Sequence, residues 1–138
     1  MQNTEPRQPH TILVVEPEPG IRGLVSAVLI RHGFDVAYAR DGEEAMQASS
    51  REPFAAFIID VGLRPSTLEP GARGGMGFLH HLQRTDRQAL QRVIILCGLS
   101  RAHLPADLPE VCSFLTKPFD LDDLTNALAS CCNLADQR

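Results

Sequence analysis

FAAFIID, residues 54–60, decides the fold: an unbroken apolar run from Phe54 to Ile59 that ends on an aspartate. A strand with one wet face alternates apolar and polar residues, whereas a strand covered on both faces has no reason to. Two further runs are built the same way, Ile12-Leu13-Val14-Val15 and Val93-Ile94-Ile95-Leu96-Cys97, and Ser113-Phe114-Leu115-Thr116 is a shorter one. Asp35-Val36-Ala37-Tyr38 alternates weakly and suits a sheet edge. Helical periodicity fills most of the intervals. Residues 19–32 place Ile21, Leu24, Val25, Val28 and Leu29 on one stripe, with Gly33 as a C-terminal stop. Asp41 with Glu44 reads as a capping box opening a helix over 42–50. Phe78, Leu79 and Leu82 recur at helical spacing over 77–84, and Asp120 with Asp123 caps a last helix that turns Leu121, Leu124 and Leu128 inward. Strand and helix in alternation predict an α/β fold, a doubly wound five-stranded parallel sheet. One interval resists: GLSRAHLPADLPEV (98–111) carries Pro105 and Pro109, which leave no room for a regular helix, so the fourth helix is expected to be missing or vestigial.

The chain has 138 residues, enough for one domain, and the expected division is a flexible tail over 1–10, the domain over 11–132 and a short tail over 133–138. Hydrophobic residues make up 43% and charged ones 22%, which suits a folded core rather than disorder. The formal charge of −4 comes without any dense Lys/Arg run, which argues against nucleic acid as a partner. No apolar stretch reaches the roughly 18 residues a membrane span needs, and MQNTEPRQPH lacks an apolar signal region, so no membrane association and a cytoplasmic location are expected. Cys97, Cys112, Cys131 and Cys132 show no metal-ligand spacing and read as free thiols in or near the core.

In an open α/β sheet, functional groups collect at the carboxyl ends of the strands. Those ends carry Glu16 after the first strand, Asp60 after the third, Cys97 closing the fourth, and Lys117-Pro118 after the fifth. A carboxylate pair and a lysine in one crevice suit phosphoryl transfer to a carboxylate, with Asp60 as nucleophile, a divalent cation to neutralise charge and Lys117 as a fixed cation. His80 and His81 fall on the third helix, away from those ends, and read as solvated surface residues.

ILVVEPEPGIR (12–22), FAAFIIDVGL (54–63) and FLTKPFDLDDL (114–124) resemble the three signature blocks of the receiver domains of two-component response regulators, in an atypical, stand-alone, chemotaxis-regulator-like form. GFDVAYARDGEEAM (33–46) is similar to that family's second strand and helix, and the resemblance runs over about residues 11–131. It implies a flavodoxin-like fold and a signalling module rather than an enzyme. By the same resemblance Asp60 matches the phosphoacceptor, Lys117 the lysine that contacts the phosphoryl oxygens, and Pro118 the proline of a cis Lys-Pro bond. Cys97 falls at the Thr/Ser switch position and Phe114 at the aromatic switch position, where ordinary packing is an equal reading. Mg²⁺ is implied as the cofactor, held by Glu16, Asp60 and the backbone carbonyl of Gly62. The implied partner is a sensor histidine kinase, with a histidine phosphotransfer protein as a second candidate; oligomeric state is left open.

Four departures bear on function. Pro17 occupies the place of the second acidic residue of the family's metal-binding pair, which weakens the expected site. Cys97 offers a weak thiol donor where the family has a hydroxyl. RPSTLEPGARGGM (64–76) lengthens the loop beside the crevice and reads first as a solvated loop, with a lid or kinase-docking element, or Arg64 or Arg73 reaching the phosphoryl group, as the lesser readings. The missing helix removes part of a face many receivers use for signalling. Gly62 and Leu99 hold the positions that orient hydrolytic water in the family, and neither side chain can do so, so a phosphoryl group on Asp60 is expected to be long-lived. The runner-up reading is a pseudo-receiver, a binding module that no longer depends on phosphorylation. An aspartyl-phosphate phosphatase would need an acid at Gly62.

Overall fold

The three solid apolar runs form the interior of the sheet. The computed structural model describes residues 9–61, 74–98, 106 and 108–132. Strands β1 (Thr11–Val15), β2 (Asp35–Ala39), β3 (Ala56–Asp60), β4 (Val93–Cys97) and β5 (Ser113–Thr116) pair in parallel in the order β2-β1-β3-β4-β5. β3 and β4 are buried at every position, β1 at all but its first, while β2 and β5 are the edges. Each apolar run feeds two cores. Leu13, Val15, Phe57, Ile59, Val93 and Ile95 face one cluster, and Ile12, Val14, Ala56, Ile58, Ile94 and Leu96 the other. That two-sided demand is why these strands do not alternate.

Helices α1 (Pro19–Arg31) and α4 (Leu121–Cys131) cover one face through Val25, Val28, Leu29, Leu124 and Leu128. α2 (Gly42–Arg51) and α3 (Gly75–Thr85) cover the other through Ala45, Phe78, Leu79 and Leu82. A short 3₁₀ turn, Arg87–Arg92, leads into β4. Burying a large aliphatic side chain stabilises by about 1.5–3 kcal/mol relative to exposure, and twelve of the largest side chains are almost wholly enclosed. The described residues between β4 and β5, namely 98, 106 and 108–112, form no helix; 99–105 and 107 lie outside the described residues.

Several expectations need correction. Leu24 and Leu121 point to solvent, at 45% and 44% exposure, instead of joining the core. α1 is apolar almost all round, with Gly20, Gly23, Leu24, Ala27 and Ile30 on its exposed side, so periodicity could not orient it. α3 begins two residues before the expected 77. The box at α2 is only half formed: the Asp41 side chain accepts from Glu44 N–H, but Glu44 accepts from Arg40 N–H and pairs with its guanidinium. At α4 both halves are present between Asp120 and Asp123. His80 and His81 are half-buried, and the His81 ring stacks on Phe78 at 6.2 Å.

The largest correction concerns the cysteines. Cys112, just before β5, is disulfide-bonded to Cys131 in the last turn of α4, with Cα atoms 5.9 Å apart. Neither Cys97, which is buried, nor Cys132, which is half-buried, takes part in a disulfide. A bridge requires Cα atoms within about 7 Å, a property of the packed α4–β5 layer that sequence spacing does not carry.

Candidate functional site

β1 and β3 are sequence-distant neighbours flanking the point where the strand order reverses, the place where an open α/β sheet leaves a crevice. Glu16 and Asp60 stand at that point, one just past β1 and the other closing β3. Their backbones are fixed by ladder bonds that run one residue beyond the strands. Glu16 N–H donates to the Ala39 carbonyl at 3.1 Å, and Val61 N–H to the Leu96 carbonyl at 3.1 Å. On the far side Lys117 N–H donates to the Cys97 carbonyl at 2.8 Å, which places the lysine one residue past the end of β5. The Lys117–Pro118 peptide is cis, as the resemblance implied. A cis bond before proline costs little, and it turns the chain between the strand end and α4.

The three charged side chains meet. Lys117 Nζ donates to Asp60 Oδ2 at 2.8 Å and to Glu16 Oε1 at 3.1 Å. Glu16 is fully enclosed, Asp60 is 9% exposed, and the Lys117 side chain is 21% exposed, so the group opens to solvent on the lysine side. Lys117 is the sole lysine among 138 residues; the other twelve cationic side chains are arginines. A reading by blocks missed this, although a count of residue types would have found it.

Charge crowding shows in the titration behaviour. Burial above all, then the hydrogen bond and negative charge of Asp60, push the Glu16 carboxyl up to about 7, against the opposing pull of Lys117 and the Glu18 N–H. For the Lys117 amine, burial alone would favour the neutral form. The hydrogen bond and charge of Asp60, joined by Glu16, outweigh it and hold the amine above its ordinary value. Two carboxyls facing one ammonium leave an excess of negative charge, which a proton on Glu16 or a divalent cation can relieve.

The remaining expected residues surround this triad. Pro17 is exposed beside Glu16, and Glu18, one residue on, donates its N–H to Glu16 Oε2 at 3.3 Å as the N-cap of α1. Cys97 is buried at the end of β4, and Phe114 packs half-buried against the cluster that contains it. Gly62, Arg64, Arg73 and Leu99, and most of the 64–76 loop, lie outside the described residues. Gly75 is a residue the sequence did not single out. A Cβ there would collide with the Asp60 carbonyl oxygen and lie 2.8 Å from Ile59 Cγ2, so the start of α3 presses directly on the backbone of Asp60.

Comparison with known proteins agrees with this fold. The family model for the response regulator receiver domain matches residues 12–129. The chain is 32% identical over 121 residues to transcriptional regulatory protein GlrR of Escherichia coli, with 88% of this chain covered and 26% of that protein. It is 30% identical over 116 residues to nitrogen assimilation regulatory protein NtrX of Azorhizobium caulinodans, with 83% and 24% covered. It thus spans about a quarter of the length of the curated relatives it matches. Among solved structures, response regulator protein TrrA of Thermotoga maritima in complex with Mg²⁺-BeF superposes with a TM-score of 0.72 at 22% identity, covering 88% of this chain and 97% of that one. The fold, the crevice and the matched span together place this chain in the receiver domains of two-component response regulators.

Proposed function

We infer that Asp60 accepts a phosphoryl group from a phosphohistidine of a sensor histidine kinase. In this reading the phosphorylated domain signals by protein contact or hands the group to a histidine phosphotransfer protein. The observation that carries the reading is the placement of Lys117 Nζ against both carboxylates. In the transfer the phosphorus–nitrogen bond to the donor histidine breaks and a phosphorus–oxygen bond forms at an Asp60 carboxylate oxygen. The Lys117 ammonium then contacts the phosphoryl oxygens and balances part of the added charge of about −1.5 to −2. Cys97 and Phe114 take the two switch positions, and the cis Lys117-Pro118 bond aims the lysine. The domain acts as an acceptor and signal carrier in the cytoplasm and not as an enzyme that turns over a substrate.

The donor set suits Mg²⁺ in a reduced form. Glu16 and Asp60 offer carboxylate oxygens at one point, with the Gly62 carbonyl as the third expected ligand, whereas the Pro17 side chain has no oxygen to give. When bound, Mg²⁺ supplies charge neutralisation between these carboxylates and the incoming phosphoryl oxygens. The weakened affinity this reading expects rests on Pro17, which leaves Glu16 and Asp60 as the two carboxylates of the site. Pro17 and the proton affinity of Glu16 also favour the second reading, a pseudo-receiver that binds partners without phosphorylation.

Acetyl phosphate treatment with Mg²⁺ or with EDTA, followed by intact mass, separates the two. The expected result is one phosphoryl increment in wild type with Mg²⁺, none in Asp60→Asn, and slow loss after the donor is removed. An increment that persists in Asp60→Asn, or none in wild type at high Mg²⁺, defeats the phosphoacceptor reading.

A further inference from the structure

We propose that Cys112 and Cys131 form a thiol–disulfide exchange site, a redox modification point whose state sets how firmly the segment carrying Lys117 is held in the crevice. The bridge spans a sequence separation of 19 residues, and the covalent loop it closes contains β5, Lys117, the cis Pro118 and all of α4 up to its last turn. The only lysine of the chain therefore sits inside a loop locked at both ends.

The lock falls on one of the two edges of the sheet. β5 has four residues, pairs among the described residues with β4 on one side, and none of its side chains is fully buried. β1, β3 and β4 are paired on both sides and enclosed. An edge strand opens at lower cost than a central one, and here a covalent tie adds to the single ladder with β4 seen among the described residues. Cys112 is further anchored by its N–H to the Leu90 carbonyl at 3.1 Å, so the bridge pins the end of α4 to a fixed point.

The site is also reachable. Cys131 and Cys132 line a surface groove of about 830 Å³ at the amino edge of the sheet, together with Arg92, Phe34, Phe54 and His81. Cys112 and Cys131 are both partly exposed. This edge is opposite the crevice, so a reductant acts on the bridge without touching Asp60. The chemistry is ordinary exchange. A thiolate of a dithiol reductant attacks one sulfur of the bridge and releases the other cysteine as thiolate, which takes up a proton. The second thiol of the reductant resolves the mixed disulfide, leaving two cysteine thiols and an oxidised reductant, a transfer of two electrons and two protons. In a reducing compartment such bridges are transient and redox-sensing more often than permanent.

The test uses the whole chain, oxidised or treated with dithiothreitol. Thiol titration in denaturant should count two free thiols before reduction, Cys97 and Cys132, and four after. Hydrogen exchange read by mass spectrometry should be faster by roughly threefold or more across β5 and α4 in the reduced form, with β1 and β3 unchanged. Cys112→Ser/Cys131→Ser should match reduced wild type and ignore dithiothreitol, while Cys132→Ser should keep the response. Should the double variant not fold, reduced and oxidised wild type still decide the matter. Four thiols in protein purified in air, or identical exchange in both states, overturns the proposal. The consequence for phosphorylation rests on the phosphoacceptor reading: Asp60 should gain its phosphoryl group more slowly from acetyl phosphate in the reduced form. Equal rates of gain overturn that coupling, whereas no gain in either form defeats the phosphoacceptor reading and leaves the exchange contrast to judge the site.

Discussion

Enclosed beside Asp60, Glu16 keeps its proton up to about pH 7, against 4.5 for the ordinary group. A group whose folded-state pKa is the higher one adds stability that is whole below the unfolded value and drains away as pH climbs through the folded value. The Glu16 contribution is therefore complete below about 4.5 and gone above about 7. Urea midpoints of wild type and Glu16→Gln, followed across that window, should diverge, with wild type losing ground as pH rises. Parallel curves would mean that this carboxyl does not titrate there. Gly75 presents a steric question instead. Alanine in a helix is ordinarily favoured over glycine by about 0.5–1 kcal/mol, but here the added carbon strikes backbone, which cannot swing aside as a flexible side chain can. Gly75→Ala should lose about 2 kcal/mol in a denaturant titration, the usual scale of overpacking; a gain would show that α3 shifts freely off β3.

α4 is the best-signed element in the chain, because its cap is local. Asp120 and Asp123 satisfy each other's backbone N–H groups within four residues, and Asp120→Ala should cost about 1 kcal/mol of stability by urea unfolding. An unchanged midpoint would mean that packing of Leu124 and Leu128 alone sets the helix. What was local could be read from sequence: β4 and β5 fall on the residues their runs mark, and the box at Asp120 is complete. What depended on neighbours could not. Leu24 sits on a helix whose apolar residues go round its whole circumference, so no stripe marked which side the sheet would take. Leu121 occupies the first turn of α4, before the helix has settled onto β5. Glu44 turned to Arg40 because an oppositely charged guanidinium was within reach and competed with the N-cap amide.

At the scale of the whole molecule, the crevice was legible because parallel topology carries strand ends to one edge, so Glu16, Asp60 and Lys117 had to converge once the strands were identified. The bridge was not, since nothing local tells Cys112 that Cys131 will lie across from it. Closing a loop of this length restricts the unfolded chain and is worth about 3 kcal/mol. Reduced protein, or Cys112→Ser/Cys131→Ser, should unfold at a correspondingly lower urea concentration, and equal midpoints would deny the bridge any role in stability. The lone lysine has a consequence of another kind. Since Lys117 bears the only side-chain amine in the polypeptide, any reagent that acylates primary amines meets one internal target, and that target is the crevice itself. Its reactivity is a built-in gauge of whether the ammonium is gripped by Asp60 and Glu16 or has been let go, with no need to install a foreign label.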